Sequence, residues 1–138
     1  MGLQLTRGGE YAIRAMTYLA RFPEGHVASL HDIGQAQEIP ESFLAKILQS
    51  LVHSGLAASQ RGAHGGFSLA RAAEAISMRD VVEAVDGPIA LNQCVLWPED
   101  CERSGDCEVH KAWVRAQDQL MTVLDSVTLR TLTPTPAS

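Results

Sequence analysis

Hydrophobic positions recur along the first half of the chain at helical spacing, broken by short polar stops. Between Thr6 and Phe22 the apolar residues Ala12, Ala15, Met16, Leu19 and Ala20 fall on one face. That pattern predicts an amphipathic helix with Thr6 as N-cap and with Pro23 and Gly25 ending the run. Ser29 caps a second, shorter helix that extends to about Gln37 with Leu30, Ile33 and Ala36 inward. Pro40 then opens a third helix, because the N–H it lacks has no helical partner at a first position. This helix extends to about His53, burying Phe43, Leu44, Ile47, Leu48 and Leu51, and stops at Gly55. Two helices of this size joined by a tight turn have the length pattern of a helix-turn-helix.

The period then changes. Leu56–Ser59 and Phe67–Ala70 are short strand-like runs on either side of Gln60-Arg61-Gly62-Ala63-His64-Gly65-Gly66, a glycine-rich hairpin tip with the character of a wing. Ser77 caps a fourth helix, Met78–Val85, ended by Asp86-Gly87-Pro88. From about Val109 a long helix carries Trp113, Ala116, Leu120, Val123, Leu124 and Val127 on one stripe, too apolar for a solvated helix; it either caps its own domain or pairs with a second chain. Thr131–Ser138 reads as a frayed tail. The expected fold is mainly α with a small β-hairpin. Residues 1–75 form a winged helix-turn-helix DNA-binding head, and residues 76–138 supply a helix, a cysteine-rich loop at about 92–110 and the long C-terminal helix, all in one compact unit.

At 138 residues the chain can bury one core. Its net charge of −5 argues against nucleic acid until the distribution is considered. Residues 1–75 carry six Lys/Arg against six Asp/Glu, whereas residues 76–138 carry five against ten. A neutral head with a few placed cations can still dock on phosphates, with more of the affinity drawn from base contacts and dimerisation. Arg7, Glu10, Arg14 and Arg21 interrupt the N-terminal stretch, which therefore does not read as a signal peptide, and no segment reaches the ~20 apolar residues of a membrane span. The chain reads as cytoplasmic, with reduced thiols and no membrane contact.

In a helix-turn-helix the second helix presents its N-terminal residues to the base edges of the major groove. The outward positions there are Glu41, Ser42, Ala45, Lys46 and Gln49. Ser42 suits a base or phosphate, Lys46 a phosphate or guanine, Gln49 an adenine, and Glu41 a cytosine amine. Arg61 at the wing tip suits a narrow minor groove, and the glycines around it permit close approach to a backbone. The candidate DNA contacts are these residues together with Ser29, Gly62, His64, Gly65 and Gly66. One by one they are ordinary solvated positions; helix, helix and glycine-rich hairpin in this order carry the reading.

The chain has three cysteines, all in one acidic stretch: Cys94, Cys101 and Cys107, followed three residues later by His110. Thiolates select copper(I), zinc or iron–sulfur clusters over hard cations. Zinc sites bring ligands in pairs two to four residues apart, and none of these is so paired, whereas evenly spread thiols fit a bulkier cluster. The odd count argues against a closed disulfide framework. Glu99, Asp100, Glu102, Asp106 and Glu108 raise thiol pKa and make the thiols slow nucleophiles without metal. No Cys-x-x-Cys pair or nucleophile–base pairing supports a cysteine-based redox enzyme. A zinc-binding or dithiol-switch loop remains the alternative to a cluster.

Leu5-Thr6-Arg7 with Tyr11-Ala12-Ile13-Arg14-Ala15-Met16, Ile39-Pro40-Glu41-Ser42-Phe43-Leu44, and the wing Arg61-Gly62-Ala63-His64-Gly65-Gly66 leading into Phe67-Ser68-Leu69-Ala70 resemble the Rrf-type family of bacterial winged-helix transcriptional regulators, over roughly residues 3–130. The resemblance implies a homodimer held by a long C-terminal dimerisation helix on a pseudo-palindromic double-stranded DNA operator. It also implies an iron–sulfur cluster on Cys94, Cys101 and Cys107. For the fourth ligand it offers His110, which favours a 2Fe-2S centre, or Glu10 from the partner subunit, which belongs with a 4Fe-4S centre. Ala45-Lys46 departs from the glutamate that some cluster-binding relatives carry after Phe/Tyr-Leu, so head and ligand point to different branches. The implied function is a repressor sensing redox state, nitric oxide or iron status.

Overall fold

The structure is a computed structural model of a single chain and describes residues 6–89 and 108–133. Helix α1 spans Arg7–Ala20, and the Thr6 hydroxyl accepts from the Gly9 N–H at its start. The expected inward set is buried in full, together with Gly9. Helix α2, Leu30–Gln37, begins under the Ser29 hydroxyl, which accepts from the Asp32 N–H. It buries Ile33 and Gly34, and Ala36 is exposed rather than inward. The reason is a close approach: a Cβ on Gly34 would meet the Ile39 carbonyl oxygen at 3.0 Å, so the chain entering the next helix runs over this point. Glu38 completes the turn in the left-handed region at φ 55°, a conformation uncommon outside glycine and asparagine.

Helix α3, Glu41–His53, follows Pro40 and buries Leu44, Ile47, Leu48 and Leu51. Phe43, expected in the core, is 40% exposed and meets Tyr11 edge-on at 5.5 Å. Strands β1, Ala57–Gln60, and β2, Gly66–Leu69, pair antiparallel with Ala57 opposite Leu69 and Gln60 opposite Gly66. A third edge, absent from the sequence reading, joins them: Ala28 and Phe67 exchange both backbone hydrogen bonds, at 2.9 and 2.8 Å. The hairpin is thereby sewn to the residue that precedes α2.

After a short 3₁₀ turn at Ala73–Ala75, helix α4 spans Met78–Asp86. Ser77 and Asp80 form a capping box, each side chain accepting from the other's backbone N–H. Helix α4 packs chiefly on α1 and also touches α3. Helix α5, Glu108–Ser126, is long and touches α4. Its inward positions are His110, Trp113, Val114, Gln117, Leu120, Met121 and Leu124, so Trp113, Leu120 and Leu124 of the expected stripe face inward, as does Val127 just beyond the helix, while Ala116 and Val123 are exposed. Val109 and Val123 are 61% and 56% exposed.

The expected frayed tail begins with ordered residues. Helix α6, Leu129–Leu132, is capped by Thr128, and Leu129 is fully buried in the same core as Met16, Leu48 and Ile76. The Met78 N–H donates to Val127 and the Leu129 N–H to Ile76, so the chain end runs beside the start of α4. Thr133 is buried as well, its hydroxyl donating to the Leu129 carbonyl. No helix among the described residues is long and apolar enough to cross a membrane.

Candidate nucleic-acid interface and cluster ligands

The outer face of α3 presents Glu41, Ser42, Lys46 and Gln49 to solvent, with Ala45 half-buried among them. Three of these are unequal partners for DNA. Glu41 lies 3.3 Å from the His31 ring nitrogen of α2, so its carboxylate is turned toward the first helix of the motif. Ser42 and Lys46 flank an open cleft of about 300 Å³ whose apolar lining is Phe43, Ile47 and Val85. Lys46 is a long cation on an exposed face, free to reach a phosphate.

Helix α2 is fixed relative to α1 by Arg14, whose guanidinium donates to the Gln37 carbonyl and lies over the Tyr11 ring at 5.4 Å. That contact gives a last-turn carbonyl a cationic partner. Ser29 is engaged as a cap, yet its hydroxyl proton remains available to a phosphate oxygen, since accepting from Asp32 uses only a lone pair. In the wing, Arg61 and His64 are exposed on either side of a turn closed by Gly65 N–H to the Gly62 carbonyl at 3.0 Å. Gly65 and Gly66 both lie against backbone, at Gln60 and Ala28 respectively, and the wing keeps its shape because nothing larger intrudes there.

The cysteine positions 94, 101 and 107 lie outside the described residues. Their candidate companion, His110, is in the first turn of α5 on its inward face. Its Nδ1 is buried and has no hydrogen-bond partner among the described residues. Buried ring nitrogens are ordinarily satisfied, and a soft metal takes a neutral imidazole nitrogen in that situation. Glu10 is exposed on the first turn of α1. Among the described residues no three His, Cys, Asp or Glu side chains are grouped for a metal ion.

A polar belt between α4 and α5 has no counterpart in the sequence reading. Arg79 donates to Glu83 at 3.2 Å and to Asp125 at 3.1 Å, and these two carboxylates, Asp125 foremost, raise the guanidinium pKa above its ordinary value. The Ile89 N–H donates to the second Glu83 oxygen at 3.1 Å, and Gln117 donates to the Ile89 carbonyl. The one available signal was a glutamine interrupting the apolar face of α5.

The chain matches the family model for Rrf2, iron-dependent transcriptional regulator, over residues 5–135. Among solved structures it is similar to CymR, the global cysteine regulator of B. subtilis, at 31% identity and TM-score 0.79, with 98% of this chain and 99% of that one covered. It is similar to the oxidized form of Staphylococcus aureus CymR at 27% identity and TM-score 0.72, covering 98% and 99%. The T. potens IscR structure matches at 28% identity and TM-score 0.72, covering 96% of this chain and 87% of that one.

Proposed function

The chain belongs to the Rrf2 family of transcriptional regulators, and from that premise we propose that it is a homodimeric repressor whose operator affinity is set by an iron–sulfur cluster. Family membership makes it a DNA-binding regulator and not an enzyme. The cluster's ligands in this reading are Cys94, Cys101, Cys107 and His110, with Glu10 of a second subunit as the alternative fourth ligand. The supporting observation is His110: a buried, unpartnered Nδ1 in the first turn of α5, three residues after Cys107. The residues present fit such a group, since three thiols and one imidazole are a soft donor set. When bound, the cluster supplies a centre that an oxidant, nitric oxide or iron shortage can alter.

The protein's own residues do the rest. Lys46, Ser42 and Gln49 of α3 enter the major groove, and Arg61 with His64 of the wing tracks the adjacent backbone or minor groove. The exposed stripe of α5, with Val109 and Val123, is the natural seam for a second copy, which sets two recognition helices on a two-fold-related operator. A second reading draws on the similarity to the global cysteine regulator, by which the cysteines act as a thiol switch without a metal.

Anaerobic purification, with the visible spectrum and with iron and sulfide analysis, separates these. Visible absorption with about two iron per chain supports a 2Fe-2S centre with His110, and about four supports 4Fe-4S with Glu10. A colourless chain that resists reconstitution leaves the thiol or zinc switch.

A further inference from the structure

The last turn of α4 contacts the start of α1, the cleft beside α3 and the backbone of Ile89. Glu83 uses both carboxylate oxygens, one accepting from Arg79 and the other from the Ile89 N–H at 3.1 Å. The carbonyl of Ile89 accepts from Gln117, the one buried residue of α5. Ile89 is therefore gripped at both its donor and its acceptor, from two different helices. Two residues past Glu83, Val85 faces the cleft beside Ser42, Lys46 and Ile47 of α3. Next to it, Asp86 accepts from the Thr6 hydroxyl at 2.6 Å, at the head of α1.

Four residues of chain separate Ile89 from Cys94. His110 lies on the same face of α5 as Gln117, two turns earlier and about 10 Å along the axis. The stretch carrying the thiols thus leaves from a point tied to Gln117 and ends on the helix that carries Gln117. A displacement at Ile89 strains two hydrogen bonds at once, its N–H to Glu83 and its carbonyl to Gln117. Through the N–H held by Glu83, that displacement is linked to the turn of α4 that abuts the recognition helix.

We propose that Glu83 and Gln117 form a clamp on Ile89 that positions the last turn of α4 against α3 and so conveys the state of the cysteine segment to the DNA-reading face. This deepens the cluster reading, which supplies the nature of the signal, but the clamp itself is defined by described residues. Gln117 and Glu83 are positioning residues, touching neither DNA nor the candidate ligands.

Gln117→Leu keeps the side-chain bulk and removes the donor. In the metal-free protein, amide NMR should show faster hydrogen exchange at Ile89 and shifted resonances from Ser42 to Ile47. A response confined to Ile89 and its immediate neighbours on α4 and α5 overturns the proposal, whatever the cluster does. In the anaerobically loaded protein, on a duplex enriched from a random-sequence library, the wild type should bind with affinities differing at least about fivefold between loaded and metal-free forms. Gln117→Leu should retain its iron while that ratio falls below about twofold; an unchanged ratio overturns the clamp. A colourless wild type removes the cluster reading alone, and the NMR comparison still decides the clamp. If Gln117→Leu does not fold, Gln117→Asn, which retracts the amide by one methylene, takes its place in both measurements.

Discussion

A Cβ on Gly66 would lie 2.2 Å from the carbonyl oxygen of Ala28, where no side-chain carbon can be accommodated. The wing and the segment before α2 are in backbone contact at this point, one residue from the Ala28–Phe67 exchange of hydrogen bonds. Gly66→Ala must push the two strands apart. It should cost about 2 kcal/mol or more, measured by urea unfolding, and a variant as stable as the wild type would mean that the wing is not held this way.

Leu129→Ala removes a fully buried side chain contributed by α6. A destabilisation of about 2–5 kcal/mol is expected from denaturant unfolding. A loss below about 0.5 kcal/mol, the range of surface changes, would show that α6 does not dock.

Val123 is 56% exposed on the outward stripe of α5. Val123→Glu places a charge in the seam where a second copy is proposed to pack. Sedimentation should find the variant largely monomeric at concentrations where the wild type is dimeric, with unchanged helical content. A dimer of undiminished strength would place the subunit seam elsewhere.

Arg61→Ala should weaken operator binding about equally across sequences if Arg61 meets phosphate. In that case the dependence of log affinity on log salt should fall by about one unit. A base-specific loss instead assigns Arg61 to the minor groove. Identical affinity and salt slope would remove the wing tip from the interface.

Cys101→Ser deletes one thiolate of the proposed ligand set. The variant should purify as a folded dimer with its iron and visible absorption largely lost. Full colour and full iron would sink the assignment of Cys101.

The caps and the α1 face were legible because they are local: Thr6, Ser29 and Ser77 each accept from a backbone N–H three residues on, a geometry fixed by sequence spacing. What escaped depends on neighbours. Phe43 is about 90° around α3 from the middle of its buried face, at 100° per residue, so hydropathy alone could not tell edge from core. Ala36 lost its place to Gly34 because the next helix crosses α2 there, a fact of chain path and not of polarity. Most of the stripe expected on α5 faces inward, but Ala116 and Val123 lie at its edge, and only the packing on α4 shows that they are left exposed. In the DNA reader the outward residues of α3 were identified, but the turning of Glu41 toward His31 needs coordinates. Of the proposed ligands, His110 stands out in the sequence three residues after Cys107, the burial of its Nδ1 needs coordinates, and the three thiols lie outside the described residues.

The docking of Leu129 also orders events in synthesis. The helix-turn-helix and its wing are complete by Ala70, yet their core lacks one of its fully buried members until Leu129 has left the ribosome. Between those two points the ribosome makes the cysteine segment and the whole of α5. A nascent chain therefore cannot complete the core of its helix-turn-helix before α5 exists. A head released by early termination or by cleavage before Thr128 has an open core and is a substrate for proteolysis.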